Sequence, residues 1–336
     1  MQLSSPKYIF QHSSPKLLPA NSIFITDSHI HELYPNLFKG TRTIMFRPGE
    51  EHKTQETIQY ITKELLQFEA HRKTTIVGVG GGIVTDVAGY AASTYMRGLP
   101  FGFMPTTLLG MVDAAIGGKN GVNYGLHKNL IGTINQPDFI IFDIAFLKTL
   151  PDHEWSNGFA EVIKYACLFD PTLFDKLNRN DISYYRNNKE ALNTLIQTCV
   201  QWKTKIVNED EHENGNRKLL NFGHTVGHAI ETLYHMPHGQ AVAIGMMIAC
   251  NIAETELGTD TSIGQKLAIL LTKYDLPATY AFDVQEVMNV LTMDKKRNDT
   301  GIEYILLNNI GEACITLLSF SSIEQALVST KNGSNY

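Results

Sequence analysis

Cysteine is scarce in this chain. Only Cys167, Cys199, Cys250 and Cys314 occur in 336 residues, and no two of them form a CxxC pair. That excludes a disulfide framework and a thiolate zinc site, and it fits buried thiols in a reducing compartment. Basic charge is also short: 28 Lys plus Arg against 34 Asp plus Glu leave a net charge of −6. No face for nucleic acid is announced in these totals, although a local cluster of cations can still receive a small anion. No apolar run reaches the ~18 residues of a membrane span. The first residues lack a charged segment followed by an apolar core, so neither a membrane nor a secretory route is expected. The expected compartment is the cytoplasm. There is no internal repeat and no low-complexity linker.

What is present is a globular composition, 43% hydrophobic, long enough for two domains with real cores. The first part alternates short apolar runs with amphipathic stretches, the pattern of an α/β domain. Residues 22–26, 43–46, 74–79, 101–104 and 139–142 read as parallel strands. Residues 53–68 and 83–96 read as helices. After Pro151 the character changes, and residues 154–168, 190–207, 220–256 and 262–273 all read as helical. Strand signal returns only at 302–307 and 313–318. The expected division is therefore an α/β domain over 1–150 and a mostly helical domain over 151–336.

The densest chemical signal lies between Leu219 and Met247. His224 and His228 stand four apart and share one helix face, and His238 follows a Pro-Gly punctuated break that can fold it back toward them. Three nitrogen ligands with a fourth position open suit a catalytic zinc. Ordinary helix histidines at the same spacing are the bland reading. A second signal is Gly80-Gly81-Gly82 after a β-branched strand, with Asp86 in the following helix. Backbone amides and a helix N-terminus there can receive a phosphate, as in a dinucleotide site, although the segment is not GxGxxG and fits a plain tight turn equally well. Asp27, closing residues 22–26, stands where an acid could accept hydrogen bonds from a ribose. Glu50 and Lys53 lie in a turn before a helix, where capping explains the acids equally well. Asp113, Lys119, Lys128 and Asn129 crowd a glycine-interrupted, otherwise apolar segment. Buried charges there want a ligand.

In order along nearly the whole chain, these residues sit in motifs that resemble the 3-dehydroquinate synthase family. They are Pro48-Gly49-Glu50, Gly80 to Asp86, Arg97-Gly98, Pro105-Thr106-Thr107, Val112 to Lys119, Lys128-Asn129 and Ala160-Glu161 to Lys164. The series continues through Asp210 to Arg217, Asn221 to His228 and Asp294-Lys295-Lys296. The resemblance implies a Rossmann-like α/β domain plus a helical domain, with the active site in the cleft between them. It implies an NAD- and divalent-metal-dependent lyase of aromatic amino acid biosynthesis that converts 3-deoxy-D-arabino-heptulosonate 7-phosphate to 3-dehydroquinate and phosphate. The implied course is transient oxidation, phosphate elimination, re-reduction and aldol closure, with NAD recycled within a turnover.

By matching position, the resemblance puts zinc, or cobalt in its place, on Glu161, His224 and His238, so that His228 becomes a substrate-side residue beside the metal. NAD+ falls to Asp27, Glu50, Lys53, Gly81, Gly82, Asp86, Thr106, Thr107, Lys119, Lys128, Phe146, Leu147, Lys148 and Thr149. Substrate falls to Asp113, Lys119, Asn129, Lys164, Lys203, Arg217, Asn221, His228 and one or both of Lys295 and Lys296. Arg97 would reach the phosphate in a neighbouring subunit, which implies a homodimer. Asn120, Gly110-Met111 and His127 depart from the family pattern, His127 standing where glycine usually precedes Lys-Asn. Two other readings share this fold. One is a sugar-phosphate cyclase such as a 2-epi-5-epi-valiolone or 2-deoxy-scyllo-inosose synthase. The other is a polyol or glycerol-phosphate dehydrogenase, which would release NADH.

Overall fold

Near-continuous apolar runs dictate the first layer. β4 (Thr75–Gly80) is buried along its whole length, as a strand covered on both faces must be. Around it the computed structural model, which describes residues 6–12, 18–125, 127–293, 297–298 and 301–332, assembles a six-stranded parallel sheet. Its members are β1 (Lys7–Phe10), β2 (Ser22–Asp27), β3 (Arg42–Phe46), β4, β5 (Phe101–Pro105) and β8 (Phe139–Phe142), in the order β1-β8-β5-β4-β2-β3. The chain winds outward from β2 to β3, returns to β4, and then proceeds the other way through β5 to β8. The reversal lies between β2 and β4, and the carboxyl ends of strands at such a reversal are where α/β sheets bind ligands.

The helix Gln55–Gln67 turns Ile58, Ile61 and Leu65 inward at helical spacing, capped by Thr54. The helix Gly82–Thr94 follows β4 directly and is buried on most sides. Between β5 and β8 an antiparallel hairpin of β6 (Lys119–Tyr124) and β7 (His127–Ile134) is inserted. Neither this hairpin nor β1 stands out in the sequence, because polar residues and glycines break the period of two that marks a strand.

The chain forms two compact units, 1–154 with 189–208, and 155–188 with 209–336. A division at residue 150 assigns the helix Lys189–Glu209 to the second half, but 189–208 belongs with the first. There Thr204 donates to the Tyr8 hydroxyl at 3.0 Å and Lys203 pairs with Asp113. The second unit is mostly helical, with β9 (Arg297–Asn298), β10 (Gly301–Asn309) and β11 (Glu312–Leu318) forming a small antiparallel sheet. Residues 220–256 are not one helix. His235 takes a left-handed conformation and Pro237 follows, so the helix His224–Tyr234 stops and the helix His238–Leu257 starts anew. Among the described residues no helix is long and apolar enough to cross a membrane.

Candidate metal and nucleotide sites

In the second unit, three helices meet at Glu161, and glycine permits two of the meetings. Gly245 lies against the backbone of Gly223, where an added Cβ would stand 1.9 Å from the Gly223 carbonyl oxygen, so the helices carrying His224 and His238 approach as closely as backbones allow. The Gly239 amide donates to Asn157 Oδ1 at 2.5 Å, fixing the start of the His238 helix one turn from Glu161 on the helix Asp152–Phe169.

Glu161 is fully buried, and its Oε1 lies 3.4 Å from His224 Nε2 and 3.2 Å from His238 Nε2. Potential ligand atoms of the three residues all lie within 4.8 Å of one another. The outer nitrogens are occupied: His224 Nδ1 is 3.0 Å from the Phe222 carbonyl and His238 Nδ1 is 3.3 Å from Glu231 Oε2. A ring whose Nδ1–H donates outward can turn its Nε2 lone pair to an ion held at Glu161, and in this structure the His238 Nε2 instead hydrogen-bonds the Glu161 carboxylate itself. One carboxylate and two imidazoles suit a divalent ion such as zinc. The residues therefore fit the group.

The electrostatics agree. Burial opposes ionisation of Glu161, but the Lys164 ammonium in direct contact, with His224 and His238 beside it, holds the carboxyl well below the usual carboxylate range. Burial and Lys164 push His224 down. Burial opposes charge on His238 as well, yet hydrogen bonds to Glu161 and Glu231 outweigh it and bring the imidazole up to about 10. His228 is exposed, its ring centroid 5.1 Å from that of His224, and it stands outside the Glu161–His224–His238 cluster.

Two further candidates of this unit sit on a rigid turn. Asp210 accepts the amides of Asn214, Gly215 and Arg217 at 3.0, 2.7 and 3.0 Å. Arg217 is 2% exposed and donates to the Glu211 carbonyl at 2.5 Å; Asn221 donates to Glu213 Oε1 at the same distance. Lys295 and Lys296 lie outside the described residues.

In the first unit, the expected nucleotide residues gather after the carboxyl ends of β2, β4, β5 and β8. Asp27 ends β2 and caps the next helix, accepting from the Ile30 amide at 2.8 Å, with burial raising its carboxyl. Gly81 and Gly82 begin the helix after β4, and Asp86 lies one turn in. Gly80 is set by packing: a Cβ there would fall 2.4 Å from Val84 Cγ2. Thr106 and Thr107 follow β5. The Thr106 hydroxyl is buried and has no hydrogen-bond partner among the described residues, while its amide donates to the Gly80 carbonyl at 2.9 Å. An unpartnered buried hydroxyl beside the glycine turn suits a bound polar group. After β8, Phe146 and Leu147 are buried and Lys148 and Thr149 exposed on the turn Ile144–Thr149, which Tyr34 contacts through the Phe146 carbonyl at 3.0 Å.

Polar contacts link the remaining residues. Lys53 Nζ is 2.5 Å from both Asp86 Oδ2 and Asn129 Oδ1. Asn123 stands at a register shift of β6 against β7, donates to Glu50 Oε1 at 2.8 Å and accepts the Asn129 amide at 2.8 Å. A bulge re-aims a side chain in this way. Lys203 grips Asp113 through Oδ1 at 2.8 Å and its carbonyl at 2.6 Å, within a single π-helical turn, Gly110–Ala114. Lys119 and Lys128 are exposed on β6 and β7, as is His127. Asn120 is explained by its partners, the Gly118 and Asn135 carbonyls at 2.8 and 2.9 Å. Arg97 is exposed within Met96-Arg97-Gly98, three successive residues at positive φ. Sequence reasoning passed over Asn123, Glu213 and Glu231; each is one uncharged or acidic residue among many, with no spacing that marks it.

Residues 43–157 match the family described as 3-dehydroquinate synthase N-terminal, and residues 158–297 match 3-dehydroquinate synthase C-terminal. A 3-dehydroquinate synthase of Geobacter metallireducens is 42% identical over 274 residues, 80% of this chain and 76% of the relative. One of Pyrococcus furiosus is 42% identical over 296 residues, 87% of this chain and 85% of the relative. Among solved structures, a 2-epi-5-epi-valiolone synthase from Streptomyces hygroscopicus with NAD+ and Zn2+ bound superposes with a TM-score of 0.88 over 99% of this chain and 98% of its own, at 26% identity.

Proposed function

Because this chain belongs to the 3-dehydroquinate synthase family, we propose that it converts 3-deoxy-D-arabino-heptulosonate 7-phosphate to 3-dehydroquinate and phosphate in the biosynthesis of aromatic amino acids. The observation that carries the reading is the buried Glu161 carboxylate faced by the Nε2 atoms of His224 and His238. Glu161, His224 and His238 hold the divalent ion; Asp27, Glu50, Lys53, Gly81, Gly82, Asp86, Thr106, Thr107, Lys119, Lys128 and the turn from Phe146 to Thr149 hold NAD+. When bound, the ion supplies Lewis acidity toward a substrate hydroxyl and NAD+ supplies a recyclable hydride acceptor.

The chain's own residues bind and orient. The Gly81-Gly82 amides at a helix N-terminus receive the pyrophosphate, and Asp27 accepts from a ribose hydroxyl. Lys53, held between Asp86 and Asn129, connects the nucleotide residues to a substrate contact. By matching position the substrate, which carries both a carboxylate and a phosphate, falls to Asp113, Lys119, Asn129 and Lys203 of the first unit, to Lys164, Arg217, Asn221 and His228 of the second, and to one or both of Lys295 and Lys296. Charge-assisted hydrogen bonds to those anions account for a basic cluster in an acidic protein. Burial fixes Arg217 in one orientation, so its geometry is set before substrate arrives. The protein acts in the cytoplasm as a homodimer, Arg97 of one subunit reaching the phosphate bound to the other. The outward Met96-Arg97-Gly98 turn supports that role, since strained backbone persists where it serves a function.

Identity of 42% to 3-dehydroquinate synthases against 26% to a valiolone synthase favours the carboxylated substrate over the other cyclases. The test is a panel of heptulosonate 7-phosphate, sedoheptulose 7-phosphate and glucose 6-phosphate with NAD+ and Zn2+. Turnover of the first alone is expected; preference for either of the others would replace this reading. Glu161→Gln and His238→Ala should each abolish metal-dependent turnover while the chain stays folded.

A further inference from the structure

The two histidines facing Glu161 are anchored differently. His224 Nδ1 meets a backbone carbonyl, that of Phe222, at 3.0 Å, and main-chain geometry sets that partner. His238 opens its own helix, and its Nδ1 meets a side chain, Glu231 Oε2, at 3.3 Å. Glu231 projects from the helix that also carries His224, two turns further on, and is 8% exposed. A carboxylate this far out of water persists only with partners. Its position also answers a local need. The residues before His238 are a left-handed His235 and Pro237, so the helix that precedes the ligand offers it no carbonyl ladder to lean on.

We propose that Glu231 is the positioning residue of the metal site: it accepts the His238 Nδ1 proton, holds the ring so that Nε2 faces Glu161, and raises the basicity of that nitrogen. The inference rests on the metal reading above and deepens it. A carboxylate behind a histidine ligand strengthens metal binding in two ways. It fixes the tautomer and ring orientation, and it polarises the imidazole toward the ion, together worth about 10–100-fold in affinity. In this role Glu231 acts on the ion through His238 and not as a ligand of its own.

Zinc affinity measured by competition with a chelating dye tests this, on wild type, Glu231→Gln, Glu231→Ala and Glu231→Asp, with stoichiometry and melting temperature of the metal-free proteins recorded alongside. The expected order of affinity is wild type first, then Gln, which keeps an acceptor but loses the charge, then Ala. Asp restores part of what Ala loses. A loss of about 10–100-fold in the Ala variant, at one zinc per chain throughout, supports the positioning role. Unchanged affinity with only a lowered melting temperature would show that Glu231 is structural and would overturn the inference. Two zinc ions per wild-type chain, falling to one in Glu231→Gln, would overturn it differently, making Glu231 a ligand in a second site with His228 and His238, whose ligand atoms also lie within 4.8 Å of one another. If wild type binds no zinc, the metal reading itself falls, an outcome separate from equal binding by all four proteins.

Discussion

Asn123 Oδ1 accepts the backbone amide of Asn129 at 2.8 Å, across the bulged end of the β6–β7 hairpin. The bond holds Asn129 in a left-handed conformation, φ +50°, while the Asn123 amide group donates to Glu50 Oε1. One side chain thus braces together Asn129, proposed to contact substrate, and Glu50, proposed to contact the nucleotide. Asn123→Ala removes both bonds, each worth about 1 kcal/mol. Steady-state kinetics should show kcat/KM reduced by roughly ten- to thirtyfold, about 1.4–2 kcal/mol, with melting lowered by only a few degrees. Wild-type kinetics in this variant would remove the bracing role.

Gly245→Ala should be among the most damaging single-methyl changes in the second unit. The added carbon would lie 1.9 Å from the Gly223 carbonyl oxygen, a backbone atom that cannot turn aside, so the helices bearing His224 and His238 must separate. Overpacking of this kind costs about 3 kcal/mol. Melting and zinc titration should both register it, as a temperature lowered by several degrees and weakened metal binding. Gly258→Ala, at a helix end with nothing within 4 Å, is the control: a milder loss from its φ of +69°, and no change in zinc affinity.

Chelator-treated protein should show a distinct pH dependence. His238 rises from 6.5 to about 10 through its contacts with Glu161 and Glu231, against the opposing effect of burial. A folded-state value raised above the unfolded one contributes stability that is complete below pH 6.5 and disappears as pH climbs through about 10. Glu161 is depressed, so its contribution is constant over that window and is lost only in acid. Melting temperatures of the metal-free protein should fall across the alkaline range, and His238→Gln should flatten the slope. A slope identical in the variant would assign it to other groups.

Metal removal gives a separate prediction. Chelation should abolish turnover, and Zn2+ or Co2+ should restore it in wild type but not in Glu161→Gln, since the buried carboxylate is the only anionic member of its cluster. Activity persisting after exhaustive chelation would contradict the assignment.

Which parts of this molecule were readable in advance follows from what each signal depends on. The strands at 22–27, 75–80 and 139–142 are apolar runs whose burial needs no partner to be recognised. The hairpin of residues 119–134 escaped because Asn120, Gly121, Asn123, Gly125 and Gly132 answer to packing and bonding rather than to alternation. Histidine spacing pointed to the candidate metal site with His228 as a ligand, since helical geometry weighs only neighbours in sequence. The third ligand proposed here, Glu161, sits on a distant helix brought in by Asn157 and Gly239, a contact no local pattern contains. The family resemblance supplied Glu161, and the geometry around it gives the assignment its physical footing.

The most direct measurement follows inorganic phosphate and absorbance at the NADH band together, with excess heptulosonate phosphate, Zn2+ and NAD+ far below the substrate concentration. Phosphate should be released over many turnovers per NAD+ with no accumulating NADH. NADH rising in step with substrate consumption, or phosphate release that stops after one equivalent of NAD+, would contradict it.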